Sequence, residues 1–217
     1  MELDFSVLIP YLHMFWQGVL VTLKASALGV AIGSALGIFI GSFRDMPFKP
    51  LRYLMATYIY VLRGTPLMIQ LFLIYFGLPA LGINLDASVA GILGIGINSS
   101  GYVGEIVRGG IESIPKGQWE AGKMLGLSYW QTMKFIILPQ AIRRMLPAIG
   151  NEFVTLIKES SLLSVLAISD LTMVGQQVRS VTYASFETFI FVALVYLVMT
   201  SLTSGALQLL ENRWKVK

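Results

Sequence analysis

The stretch "KGQWEAGKMLGLS" (Lys116–Ser128) is a polar island in a chain that is otherwise mostly apolar. Pro115 suits the opening of a short helix, and Gly126 suits its end in the left-handed conformation. Between them Trp119, Met124 and Leu127 can form an apolar side, while Glu120 and Lys123 are neighbours at i,i+3. Gly122 and Gly126, four apart, share one face on which another backbone can approach closely. Ser128 with Gln131 reads as a capping box that opens a second helix. Two uses fit this helix–turn–helix. It can lie on the lipid headgroups with Trp119 and Trp130 as interface anchors, or it can dock into a groove on a cytosolic partner.

The surroundings of the island identify the solvent. Of the 217 residues 55% are hydrophobic and only 13% charged, about half the share usual in a soluble domain. Five long apolar segments can be marked: Trp16 to Phe43, Leu51 to Ala80, Ala87 to about Gly110, a stretch within Phe135 to Leu166, and Phe186 to Leu210. A helix of about 20 residues crosses a bilayer core, so the expected fold is all-α and integral to the membrane. It has five spans in one transmembrane domain, residues 1–217, with the island (about 112–131) between spans three and four.

Loop charges orient the spans. Arg44, Lys49 and Arg52 lie between spans one and two, and Arg213, Lys215 and Lys217 close the tail. Arg108, Lys116, Lys123, Lys134, Arg143 and Arg144 fall in and around the island. The opposite loops offer Arg179 beside Asp86, Asp170 and Glu187. The positive-inside rule therefore places the N-terminus outside and the island and C-terminal tail in the cytosol. Glu2 and Asp4, with no basic n-region, argue against a cleaved signal peptide.

Several function classes drop out. The net charge of +4 is spread over loops and forms no stripe for nucleic acid. Without cysteine, and with His13 as the one histidine, a zinc site or a Ser–His nucleophile lacks its parts. There is no phosphate-binding GxxxxGK[ST] loop, so the chain is not an ATP hydrolase, and no metal site is expected.

Ionisable groups within the spans cost at least ~2.5 kcal/mol each on insertion scales and need a reason. Lys24 is near enough to the outer end of its span to snorkel. Arg63 sits deep, just before Gly64, Thr65 and Pro66. Either this is a proline kink with Arg63 paired structurally, or a broken helix whose freed amides receive an anion. Asn98, Tyr102 and Glu105 fall on one helical face with Ser99 adjoining; they either line a pathway or bond a neighbouring helix. Glu152, Thr155 and Glu159 share a face of span four, next to Asn151 and Lys158. Structural pairs such as Lys158 with Glu159 or Glu152 with Arg63 explain them in one way. An unpaired Glu152, as counter-charge for a cationic substrate head, explains them in another.

The longer stretch "EAGKMLGLSYWQTMKFIILPQAIRRMLPAIGNEF" (120–153) resembles the EAA loop of the membrane subunits of ATP-binding-cassette importers, with Glu120, Ala121, Gly126, Ile136 or Ile137, Leu138 and Pro139 in place and Gly122 where the motif has Ala. "RGTPL", "IPKGQWEAG" and "GNEF" resemble the polar amino acid permease branch, and the likeness covers nearly the whole chain. The resemblance implies a coupling helix seated in an ATPase subunit, with contacts at Glu120, Ala121, Gly122, Leu125 and Gly126. It implies a second permease subunit, identical or not, two cytosolic ATP-binding subunits carrying ATP and magnesium, and an extracytoplasmic amino-acid-binding protein, all at a bacterial inner membrane. This chain itself would hold no cofactor. The residues expected near substrate are Thr65, Leu67 through its backbone amide, Asn98, Ser99, Tyr102, Glu152 and Thr155. Arg63, Glu105, Lys158 and Glu159 are expected as supporting charges. The expected cargo is a polar amino acid, first a basic one (arginine, lysine or histidine), with glutamine as an option. The rival is an ion-coupled carrier or channel that relays cations through Glu105, Glu152 and Glu159.

Overall fold

The computed structural model describes residues 3–43 and 48–214. Glu2, Arg44, Lys215 and Lys217 lie outside the described residues, as does the side chain of Arg213, so the orientation argument at those positions stays with the sequence. The described residues are helical almost throughout, with no strand among them. The helices are α1 (Leu12–Phe43), α2 (Lys49–Gly64), α3 (Leu67–Phe72), α4 (Ala87–Glu112), α5 (Lys116–Met124), α6 (Tyr129–Thr132), α7 (Leu138–Glu159), α8 (Leu171–Thr182) and α9 (Ser185–Trp214). A wide turn, Leu73–Gly77, and a tight one, Leu78–Leu81, prolong α3. Another wide turn, Met133–Ile137, joins α6 to α7.

By length and composition, two helical stretches among the described residues suffice to cross a membrane, Phe5–Phe43 and Ser185–Asn212. The pair Lys49–Gly64 and Leu67–Leu81 also suffices if taken as one crossing, broken by a 105° bend. The other two expected spans, α4 and α7, are intact helices whose apolar character is diluted. Glycines with Asn98, Ser99 and Ser100 dilute α4; Arg143, Arg144, Glu152, Lys158 and Glu159 dilute α7.

The centre of the fold is a parallel pair, α1 against α4. Gly29, Gly33, Gly37 and Gly41 follow one another at four-residue intervals and meet Ile95, Ser99, Val103 and Val107 in the same order. A Cβ at Gly33 would lie 2.6 Å from Ser99 Oγ, and one at Gly41 would lie 2.5 Å from the Gly104 carbonyl oxygen. In lipid, where the hydrophobic effect does not press helices together, such close approach supplies the packing. Helix α7 runs antiparallel to α4, touching it at Gly110 through Met145 and at Ser99 through Glu152. Helix α9 then lies on α7, with Leu207 over Gly150.

One element departs from the sequence expectation. Residues 171–182 read as external loop because they lie between spans four and five, follow Asp170 and carry Arg179; they form α8, which buries Leu171, Val174, Gly175 and Val178 against α1 and α9. Asp170 caps it, accepting from the Met173 amide at 2.9 Å and from Tyr196 Oη at 3.2 Å, while the Leu171 amide donates to Thr22 Oγ1 at 3.1 Å. Asp170 and the i, i+3, i+4, i+7 apolar pattern after it were the available signals.

Candidate functional site

Helix α2 ends because Pro66 has no N–H to offer the carbonyl four residues back, that of Leu62. Thr65 adopts extended backbone and α3 restarts at Leu67. A buried orphan carbonyl is costly, and Gln70 resolves it: its Nε2 donates to the Leu62 oxygen at 2.9 Å and to Thr65 Oγ1 at 2.7 Å. Thr65 Oγ1 in turn donates to the Val61 carbonyl at 2.8 Å, and Asn98 Nδ2 donates to Gln70 Oε1 at 3.1 Å. The break is thus a braced corner. Sequence reasoning found the corner and missed Gln70, whose signal was its position four residues after the proline.

This network alters the roles of two expected site residues. Asn98 is only 2% exposed and turns toward Gln70. Ser99, one residue on, faces the other way and donates to Glu152 Oε1 at 3.0 Å. Tyr102 and Glu105 line a groove of about 430 Å³ with Tyr60, Arg63 and Gly64. The face expected to hold Asn98, Tyr102 and Glu105 together therefore splits between brace and groove.

Arg63 pairs with Glu105, at 3.8 Å, and its guanidinium lies 5.5 Å from the centre of the Tyr102 ring. Neither expected pair, Glu152 with Arg63 or Lys158 with Glu159, makes a direct salt bridge among the described residues. The reason is the register of α7: Glu152 lies 9% exposed against α4, beside Ser99, and has no cation as partner among those residues. Thr155, half-buried, donates to the carbonyl of Asn151 at 3.1 Å. Glu159 is half-buried and Lys158 exposed. Leu67 is buried at the first position of α3, where a helix leaves its amides without an intrahelical acceptor.

The polar island is built as its residues dictate. Pro115 precedes α5, Gly126 has φ +73°, and Ser128 and Gln131 form the capping box. The Gly126 and Leu127 amides close the helix end on the Lys123 and Gly122 carbonyls, at 2.9 and 3.0 Å. The expected apolar side does not stay whole. Trp119 turns inward to stack on Tyr129 at 5.3 Å, and Leu127 is half-buried. Met124 and Leu125 point outward, 89% and 74% exposed, beside exposed Glu120 and Ala121. Gly122 is buried beneath Thr132, whose Cγ2 would lie 2.5 Å from an added Cβ. Its small size therefore serves the packing of α5 on α6. The whole unit is tied to α7, since Arg144 donates to the Ser113 carbonyl and Gln140 to Gln118 Oε1 at 3.3 Å.

A braced break facing a groove, and a short helix presenting uncovered apolar residues, invite comparison with known proteins. The family model for binding-protein-dependent transport system inner membrane components matches residues 33–216. The chain belongs to that family. Among its relatives, the probable glutamine ABC transporter permease protein GlnM of Bacillus subtilis (strain 168) is 40% identical over 97% of this chain and 98% of its own. The glutamine transport system permease protein GlnP of Escherichia coli (strain K12) is 38% identical over the full length of both. The arginine transport system permease protein ArtQ of Bacillus subtilis (strain 168) is 38% identical over 99% of each. A chain from the crystal structure of an amino acid ABC transporter with histidines is 44% identical, with TM-score 0.92 over 98% of this chain and 100% of that one.

The chain is an amino-acid ABC importer permease of the polar amino acid branch, a membrane component and not itself an enzyme. These relatives do not favour the ion-coupled carrier.

Proposed function

We propose that this chain forms the translocation path of an ATP-driven importer of polar amino acids, with basic amino acids as its first substrates. The observation that carries the choice of substrate is Glu152, a carboxylate deep in the helical bundle, bonded to the Ser99 hydroxyl with no cation beside it among the described residues. Such a group is the counter-charge that a guanidinium or ammonium head lacks in lipid. Relatives named for arginine and for glutamine, and a solved relative with histidines, support a site adaptable within polar amino acids.

In this reading five spans cross the bacterial inner membrane: α1, the bent α2–α3 pair, α4, α6 with α7, and α9. The N-terminus is outside and the C-terminus cytosolic. Thr65, Leu67, Asn98, Ser99, Tyr102, Glu152 and Thr155 border the path. The Leu67 amide at the restart of α3 faces the substrate carboxylate, while Asn98 and Thr65 act through the brace. Glu120, Ala121, Leu125 and Gly126 seat α5 in an ATPase subunit, with Gly122 holding α5 on α6. A second permease subunit, two ATP-binding subunits that carry ATP and magnesium, and an extracytoplasmic binding protein complete the transporter. Closure of the ATPases moves the α5 helices and switches the path from inward- to outward-facing.

The test is uptake by the complete transporter in proteoliposomes of arginine, lysine, histidine and glutamine, for the parent and Glu152→Gln. A larger loss for the cationic amino acids than for glutamine supports the reading. Equal losses, or glutamine alone carried by the parent, refute the basic preference. Retention of the ATPase by the parent and its loss from Glu120→Lys in a pull-down tests the seat of α5.

A further inference from the structure

Four charges form a ladder along the inner half of α4. Glu105, Arg108 and Glu112 are spaced i, i+3 and i+7 on one face, spanning about 10 Å of helix axis. Arg108 is clamped at both ends, its Nε and Nη2 on Glu105 Oε1 and its Nη1 on Glu112 Oε2. Arg63 of α2 joins at the top through a 3.8 Å contact to the other oxygen of Glu105, and its side chain is 43% exposed.

The two ends of the ladder touch the two parts of the site. Glu112 is the last residue of α4; Ser113 follows, and Pro115 immediately precedes α5. Arg63 immediately precedes Gly64, where an added Cβ would meet nothing within 4 Å, and then the braced corner at Thr65 and Pro66. Coupling between distant sites needs a contiguous network with an element that has two arrangements. The lower rungs, held by several short charge-assisted bonds, move as one piece. The upper rung, long and partly solvated, is the one that can exchange.

We propose that this ladder carries the motion of α5 to the break in the second span, with Glu105 as the positioning residue that holds or releases Arg63. In one arrangement Arg63 lies against Glu105 and the Tyr102 ring, as seen here. In the other it leaves Glu105 and moves with the corner into the path. The inference rests on the importer reading.

The experiment measures substrate taken up per ATP hydrolysed by the complete transporter in proteoliposomes, for the parent, Glu105→Gln, Arg63→Gln and the double variant. Each single change is expected to lower that ratio about five- to tenfold with KM little changed. The double variant should be no worse than the poorer single, because both break the same Arg63–Glu105 contact, and Arg63→Lys should recover part of the loss. Parental ratios in both single variants, or losses that multiply in the double, overturn the ladder. Should Glu105→Gln fail to assemble once Arg108 loses its clamp, Arg63→Gln decides alone, since it leaves the lower rungs untouched. A parent without ATP-dependent uptake strikes the importer reading instead, and is distinguishable from any ladder result.

Discussion

Replacing Gln70 with Leu removes the brace of the α2–α3 corner at nearly constant volume. Four hydrogen bonds go: those donated to the Leu62 carbonyl, the Thr65 carbonyl and Thr65 Oγ1, and the one accepted from Asn98. Interhelical hydrogen bonds in membrane proteins average about 0.6 kcal/mol, so the bonds alone contribute about 2 kcal/mol. Stranding the Leu62 carbonyl adds a desolvation penalty of about 1–3 kcal/mol. Asn98 Nδ2, already 3.4 Å from that oxygen, can turn to it and cancel part of the penalty. The net loss works out at about 2–3 kcal/mol. At about 2–4 °C per kcal/mol for a domain of this size, the detergent-solubilised protein should melt roughly 4–12 °C below the parent. Gln70→Glu separates the terms, because it keeps the acceptor for Asn98 while losing all three donated bonds. It should fall as far as Gln70→Leu or further. A Gln70→Leu variant that melts with the parent would refute the claim that this side chain holds the corner.

Three further outcomes follow from the packing. Gly33→Ala puts a methyl 2.6 Å from Ser99 Oγ, so α1 and α4 must part; a loss of about 1–3 kcal/mol is expected in thermal melts, with Ser99→Gly restoring most of it. Gly122→Ala gains about 1 kcal/mol of helix propensity yet collides with Thr132. It should weaken retention of the ATPase in pull-downs, and adding Thr132→Ala should restore it. Asp170→Ala removes the cap of α8 and the acceptor for Tyr196; a cost of about 1–2 kcal/mol should appear as faster amide exchange in 171–182 than elsewhere.

What could be read in advance depended on how local the cause was. Pro115, Gly126, Ser128 and Gln131 each act within one turn of chain, and all four stand where their chemistry put them. The break at Pro66 was equally local. The partner of Arg63 was not, because it depends on the register of α4 and α7, and nothing short-range tells whether Glu105 or Glu152 faces α2. The split of Trp119 from Met124 is of the same kind: both are apolar on one short helix, but only Trp119 has Tyr129 to stack on. Helix α8 was hidden by the charges of Asp170 and Arg179, although Asp170 is its cap and is buried.

The glycine ladder between α1 and α4 makes their alignment discrete. A slip of one or two residues would drive side chains into backbone, so the next permitted seat is a full four-residue step, about 6 Å, away. The two helices thus act as an indexed rack, and small strokes of the transport cycle must be taken up by the elements that lie around it.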